Sequence, residues 1–248
     1  MHEERITLPS NGVFYDQDFP TTLTIRSLTT DEEQLLYGST SETTIDRIIS
    51  KCIVEPSDFP IDELIPADKM FILFKLRIIS YGQDYNQTIF CPYCNYEGLS
   101  VLDLDQLPCE ELDESKIKVP LKLTLPMSKD IIELRVLTEK DYKTIKERAQ
   151  KVSKRLSLPF GQVEHKLRFA KQIKSINGEK IDSFMAERYY SSMHVRDVKY
   201  IESALNSIKI GYQGYIDMKC PACHKDIVVP FEMTSEFLNP TFRDIEWS

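Results

Sequence analysis

Two Cys-Pro-x-Cys motifs, at Cys91–Cys94 and Cys220–Cys223, constrain the fold of this 248-residue chain more than any other feature. Asp68 precedes the first motif by the same 23 residues (91 − 68) as Asp197 precedes the second (220 − 197). The two segments therefore align without a gap. An internal repeat of this kind predicts two lobes that contain the same order of elements.

The repeat continues upstream with insertions. Ile25-Arg26-Ser27-Leu28 resembles Leu134-Arg135-Val136-Leu137, and the second copy is about 20 residues longer between this arginine and its first cysteine. We therefore predict an α+β protein that is internally duplicated. Its first lobe, residues 1–108, contains an N-terminal arm and the first motif. Its second lobe, residues 119–248, contains a basic helical insertion and the second motif, and the acidic stretch 108–120 joins the lobes.

Each lobe has the same predicted elements. Alternating apolar residues predict strands over 21–28 and 131–137. Thr29 and Thr138 each precede an acidic residue by three positions, which is the spacing of a helix capping box. A buried helix over 67–80 and its counterpart over 195–209 then lead towards the cysteine motifs.

Strand-like sequence lies on both sides of each cysteine motif, which predicts the hairpin of a zinc ribbon. The two residues between the cysteines let both sulfurs face one side of the loop, and four thiolates complete a tetrahedral zinc site without an open position. We predict one structural zinc per chain, held by Cys91, Cys94, Cys220 and Cys223, where the two knuckles of the duplicated lobes meet. Such a site contributes about 10–16 kcal/mol of apparent binding energy to folding.

Other interpretations of the six cysteines stay open. A thioredoxin-like redox motif would lie at the start of a helix, whereas strand-like sequence follows both motifs here. Two separate zinc ions, one of them bound by His224, are a second alternative. Cys52 is predicted to be a buried helix residue and Cys109 an exposed thiol in the joint. The polar, acidic N-terminus predicts a cytosolic protein with reduced cysteines.

The charge distribution argues against a general nucleic-acid binder. The chain has 31 Lys/Arg and 39 Asp/Glu, a net charge of −8, although residues 139–174 carry eleven Lys/Arg and four Asp/Glu. No apolar run is long enough to span a membrane. The chain contains no Gly-rich phosphate loop, HExxH or GxSxG motif, and a four-thiolate zinc has no place for a reacting water. We therefore predict that the protein is not an enzyme and has no catalytic residues.

A resemblance to a known family rests on three segments. These are Leu8-Pro9-Ser10-Asn11-Gly12-Val13-Phe14-Tyr15, then Ile25-Arg26-Ser27-Leu28-Thr29-Thr30-Asp31-Glu32-Glu33, and Leu76-Arg77-Ile78-Ile79-Ser80-Tyr81-Gly82 ahead of Cys91-Pro92-Tyr93-Cys94. In pattern and order they resemble the baseplate hub subunit and baseplate hub assembly proteins of T4-like contractile-tailed bacteriophages.

This resemblance implies a structural or assembly (chaperone) protein of the tail baseplate hub. Its implied partners are other hub proteins and the tape-measure protein, in the host cytoplasm during assembly and in the virion. Leu8, Pro9, Phe14 and Tyr15 of the arm are candidates for partner binding, with packing on their own lobe as the alternative. Two other functions stay open at this point. One is a zinc-ribbon protein of transcription or translation that binds nucleic acid through residues 140–174, and the other is a redox or chaperone protein that uses its thiols.

Overall fold

A computed structural model describes residues 2–15, 18–38, 41–113, 115 and 117–240, and helices and strands are interspersed along this part of the chain. The α-helices in this part are α1 (Thr30–Gly38), α2 (Glu42–Cys52), α3 (Pro66–Tyr81), α4 (Glu139–Leu156), α5 (Phe160–Gln172), α6 (Ser183–Ser192) and α7 (Val195–Asn206). The β-strands are β1 (Glu3–Thr7), β2 (Thr22–Arg26), β3 (Ile53–Glu55), β4 (Asp84–Phe90), β5 (Glu97–Asp103), β6 (Cys109–Glu110), β7 (Leu121–Thr124), β8 (Ile131–Leu134), β9 (Ile173–Ile176), β10 (Glu179–Lys180), β11 (Gly211–Tyr212), β12 (Tyr215–Lys219) and β13 (Asp226–Pro230). This mixture of helices and small antiparallel sheets confirms the predicted mixed class.

Strands β1, β2 and β3 form an antiparallel sheet in the first half of the chain. In β2, Leu23 and Ile25 are buried and their neighbours are half-exposed, as expected of a strand with one face in the core. The strands predicted over 21–28 and 131–137 both exist. They end earlier than predicted, at Arg26 in β2 and at Leu134 in β8.

Helix α3 packs in the main core and is followed by β4, which leads to the first cysteine motif. Pro66 occupies its first turn, where a missing N–H costs nothing, and Gly82 ends it with a φ of 86°. The helix was predicted over 67–80 and is one residue longer at each end. Its buried apolar side chains are Ile72, Leu73, Phe74 and Leu76.

The second sheet, of strands β7 to β10, is covered by helices from the second half of the chain. Thr138 and Asp141 form the predicted capping box at the start of α4. Helices α4 and α5 make a helical hairpin whose core includes Ile145, Ala149 and Leu167. Asn177-Gly178 forms the turn between the antiparallel strands β9 and β10, and an Asn-Gly pair is typical of such a hairpin turn.

The end of the chain returns to the first half. Ile216, Ile227 and Val229 from β12 and β13 are buried in the same core as α3 and the first sheet. Two smaller cores lie in the second half, one on the second sheet and one within the α4–α5 hairpin. The division into lobes at 1–108 and 119–248 stays a prediction, and residues 114 and 116 of its joint lie outside the described part.

None of the described helices combines the length and the apolar character that a bilayer crossing requires.

Candidate metal centre

The first knuckle is a tight loop between β4 and β5. The Cys91 amide donates to the Tyr96 carbonyl at 2.8 Å, and the Asn95 amide donates to the Cys91 carbonyl at 2.9 Å. Asn95 has a φ of 57°, in the left-handed region that asparagine tolerates better than most residues. This turn brings the sulfurs of Cys91 and Cys94 to one end of the hairpin.

The second knuckle repeats this geometry between β12 and β13. The Cys220 amide donates to the Lys225 carbonyl at 2.9 Å, and the His224 amide donates to the Cys220 carbonyl at 2.9 Å. His224 occupies the left-handed position, with a φ of 61°. Its side chain is exposed and is not part of the group of potential metal ligands in the described chain. The described role of His224 is therefore to provide the left-handed residue of the turn.

The four knuckle sulfurs form one cluster, in which all lie within 4.8 Å of one another. Cys91 Sγ lies 3.7 Å from Cys223 Sγ, and Cys94 Sγ lies 3.7 Å from Cys220 Sγ. A zinc tetrahedron with Zn–S bonds of about 2.3 Å has edges of about 3.8 Å. A disulfide would need about 2.05 Å. The spacing therefore fits a tetrahedral ion and does not fit a disulfide.

The cluster has a buried side and an exposed side. Cys91 and Cys220, the first cysteine of each motif, are 0% exposed, whereas Cys94 is exposed and Cys223 is half-buried. The first cysteines thus connect the cluster to the main core. On the outside, Lys225 Nζ of the second knuckle lies 4.8 Å from the ring centroid of Tyr93 in the first.

Polar contacts behind the cluster hold the two hairpins together. Gln87 of β4 donates from Nε2 to the Pro230 carbonyl at 2.8 Å and accepts from the Glu232 amide at 2.9 Å. The buried Tyr85 hydroxyl donates to the Glu232 carbonyl at 2.9 Å and accepts from the Thr234 amide at 3.0 Å. The sulfurs therefore belong to a contact between the first hairpin and residues 230–234, which the rest of the fold already holds in place. The spacing of the cysteines did not reveal these supporting residues.

The four thiols influence one another's protonation. Burial acts to raise the pKa of Cys220, but hydrogen bonds from the backbone amides of Cys223 and Ala222 and from neighbouring thiols lower it to about 6. The amide hydrogen bond from Tyr96 acts to lower the pKa of Cys94, but partial desolvation of its thiol and the other three sulfurs outweigh it and raise that pKa to about 12. Like charges at this distance repel, so a cation is needed for all four sulfurs to be thiolates together.

The other cysteines lie apart from this cluster. Cys52 is the last residue of α2 and is 0% exposed, and Cys109 is exposed in β6. Both positions agree with the predictions for these residues.

The N-terminal arm packs on its own chain. Leu8 is 0% exposed, and the Pro9 carbonyl accepts the Leu112 amide at 2.8 Å. The Tyr15 hydroxyl donates to Asp68 Oδ2 at 2.7 Å, while Phe14 is only half-buried. Of the two alternatives for the arm, the structure shows self-packing. Partner binding by Leu8, Pro9, Phe14 and Tyr15 stays a prediction, and Phe14 and Tyr15 are the two of these residues that are not fully buried.

Part of the basic segment is neutralised by acids from elsewhere in the chain. Lys140 lies 2.9 Å from Glu63, and Lys143 lies 2.8 Å from Asp46. The nearby Lys69 is a buried cation that lies 2.6 Å from Asp46 and 2.7 Å from Glu139. This buried network was not predicted from the sequence. Its signal was a lysine within a predicted buried helix.

The fold and the cluster define a mixed helix-and-sheet protein with a four-sulfur candidate metal centre. The chain belongs to the T4 bacteriophage base plate protein family, whose model matches residues 1–239. No curated protein matches the chain, and no solved structure does. The resemblance to T4-like baseplate proteins is thereby confirmed, and the protein is a component that functions with other baseplate proteins. The nucleic-acid-binding alternative is not favoured.

Proposed function

We propose that this baseplate protein is a non-enzymatic structural or assembly component of the contractile-tail hub. The family match over residues 1–239 carries the proposal, because it covers nearly the whole chain. The motif from Leu8 to Tyr15 and its order relative to the first knuckle connect the chain to hub proteins in particular. Other hub proteins and the tape-measure protein are the proposed partners, first in the host cytoplasm and then in the virion.

Within this role, one zinc ion per chain is the structural cofactor. Cys91, Cys94, Cys220 and Cys223 are its proposed ligands, and the two 3.7 Å distances between knuckles support a single shared ion. The ion would supply no reaction chemistry, because four sulfurs fill a tetrahedral site. It would instead join two hairpins that lie far apart in the sequence.

The proposed architecture is an internal duplication with lobes at 1–108 and 119–248. The equivalent hydrogen bonds in the two knuckles support it. So does a repeated ion pair, Arg26 with Glu32 in one half and Arg135 with Asp141 in the other. Arg26 ends β2 and Arg135 directly follows β8, and in both pairs the acid accepts a hydrogen bond at the start of the next helix. The metal would then lie where the two copies meet.

Deletion of the gene tests the hub function. We expect electron microscopy to show no complete baseplates in cells infected with the deletion phage. A copy of the gene on a plasmid should restore them. Mass spectrometry of purified tails then separates a subunit, which is retained, from a chaperone, which is lost. Complete, infectious tails in the absence of the protein would contradict both forms of the proposal.

Elemental analysis tests the cofactor. One zinc per purified chain is expected, and stripping the metal with a chelator is expected to lower the unfolding temperature. Two zinc ions per chain, or a stripped protein that unfolds at the same temperature, would refute the shared structural site. This result does not depend on the outcome of the deletion experiment.

A further inference from the structure

The outer face of the first hairpin, β4–β5, is an apolar surface with acids at both ends. The strand register places Asn86 opposite Val101, Thr88 opposite Leu99 and Phe90 opposite Glu97, all on the same face. Phe90, Leu99 and Val101 are 57%, 47% and 60% exposed. We call this surface, with Asp84 and Asp103 at its far end, the hairpin face.

The first hairpin itself carries acids and no basic residue. The sequence contains no Lys or Arg between Arg77 and Lys116. None of the three acids Asp84, Glu97 and Asp103 forms an ion pair within the described residues. A partner for this face would therefore present apolar side chains to its centre and basic side chains to the acids at its ends.

The turn between α4 and α5 has the opposite charge. Nine consecutive residues, 154–162, are exposed there, and Leu156, Leu158 and Phe160 are 53%, 39% and 38% exposed. No Asp or Glu occurs from 148 to 163, whereas Lys151, Lys154 and Arg155 adjoin the apolar residues. We call residues 151–160 the basic tip.

The basic tip has a defined shape. Ser157 is left-handed with a φ of 52°, and its amide donates to the Ser153 carbonyl. The Leu158 amide donates to the same carbonyl at 3.2 Å, and the Ser153 hydroxyl donates to the Leu158 carbonyl at 2.6 Å. Lys151, Lys154 and Arg155 form no ion pair within the described residues, unlike Lys140 and Lys143 nearer the start of α4. Both the charge and the apolar side chains of the tip are free for a partner.

We propose that the basic tip of one copy binds the hairpin face of a second copy. The occupant is another copy because the chain carries both complementary surfaces, each of them exposed. The apolar side chains bury one another, and the basic residues meet the acids at the ends of the face. Since the two surfaces differ, the contact is heterologous, and repeated contacts build a ring if the rotation closes.

The mass of the purified full-length chain in solution tests this contact. Sedimentation velocity is expected to show association above the 28.8 kDa of one chain as concentration rises at about 0.1 M salt. At about 1 M salt the Debye length falls from about 10 Å to about 3 Å, so association should weaken at least about tenfold. A mass of one chain at every concentration and salt would overturn the proposal.

Charge reversal on each surface identifies the contact. Lys154→Glu with Arg155→Glu, and separately Asp84→Lys with Glu97→Lys, are each expected to weaken association at least about tenfold. Lys146→Glu with Arg168→Glu is the control for the tip variant. It makes the same change in net charge as that variant but away from the tip, and it should not weaken association. Val101→Thr on the hairpin face should also weaken association. Its control is Val228→Thr on the second hairpin, at a residue that is 65% exposed, and this variant should associate like the wild type.

Mixing the two charge variants gives the decisive result. The tip variant keeps its hairpin face, and the face variant keeps its tip, so the two should associate when mixed although each alone stays a single chain. A circular dichroism melt establishes that each variant is folded, and only folded variants are compared. Association that survives both charge reversals, or variants that fail to associate on mixing, would exclude this pair of surfaces.

Discussion

Asp68 and Asp197 make the same hydrogen bond at the same place in the two halves of the chain. Each is the third residue of its helix, α3 or α7. Asp68 Oδ1 accepts the amide of Ser10 at 3.1 Å, and Asp197 Oδ1 accepts the amide of Met127 at 2.8 Å. Both donors directly follow a proline, at Pro9 and Pro126. The equivalence supports the proposed duplication, because in each half a loop after a proline donates a hydrogen bond to the third residue of a helix.

Removal of either carboxylate is expected to destabilise the fold. Asp68 also accepts from the hydroxyls of Ser10 and Tyr15, so Asp68→Ala leaves more donors without an acceptor than Asp197→Ala does. We expect a cost of about 3 kcal/mol for Asp68→Ala and about 2 kcal/mol for Asp197→Ala, measured by urea unfolding. Asp226→Ala, at an exposed surface ion pair, is the control and should leave the midpoint unchanged. Equal behaviour of all three variants would contradict the anchoring role.

Local sequence signals predicted the elements well. Thr138 and Asp141 form the expected capping box, and the helix predicted over 67–80 begins at Pro66 and is capped by Gly82. These signals act over three or four residues, so a single sequence contains all the information they need. The juxtaposition of the cysteine pairs was also predictable, from their matching motifs and the proposed repeat.

Contacts between distant segments were not predictable. Nothing in the local sequence pairs Gln87 with Glu232, or Lys69 with Glu139, because those partners are 145 and 70 residues away. The return of Ile216 and Val229 to the first core also depends on tertiary packing that no short pattern encodes. The charge of the basic segment was visible in the sequence, but the division into paired lysines and a free tip required the structure.

Substitution of a cysteine from either knuckle is expected to have the same effect. Cys91→Ser and Cys220→Ser each remove a buried sulfur from one shared cluster. Each should abolish stoichiometric zinc and lower the unfolding temperature by at least about 10 °C in calorimetry. Cys109→Ser changes an exposed thiol outside the cluster and is the control, which should keep its zinc. A normal metal content in one knuckle variant and none in the other would show that the knuckles do not share an ion.

Acid sensitivity is expected from the Arg26–Glu32 pair. Two hydrogen bonds of 3.1 Å from the Arg26 guanidinium lower the pKa of Glu32 from 4.5 to about 2. Because the folded-state pKa lies below the unfolded value, the pair stabilises the protein fully above pH 4.5 and loses this contribution as the pH falls towards about 2. The contribution at neutral pH is on the order of 2 kcal/mol, since Glu32 is almost fully buried.

Glu32→Gln separates this contribution from general acid unfolding. The free energy of unfolding of the wild type should exceed that of the variant near neutral pH, and the two should converge as the pH falls below 4.5. Asp31→Asn removes an exposed neighbouring charge and should follow the wild-type curve. A constant difference between wild type and Glu32→Gln across this range would mean that the glutamate acts through packing and not through its charge.

Lys69 provides the sharpest test of the buried charge network. Its ammonium lies between Asp46 and Glu139, and its side chain is only 11% exposed. Lys69→Met leaves these acids without their shared cation, so we expect a loss of about 3–5 kcal/mol in urea unfolding. The exposed pair of Lys140 with Glu63 bridges the same two parts of the chain, and Lys140→Met should leave the midpoint unchanged. In the double variant, Glu139→Gln should recover about 2 kcal/mol of the Lys69→Met loss, because it removes one uncompensated charge. Purely additive effects would show that the lysine contributes packing alone.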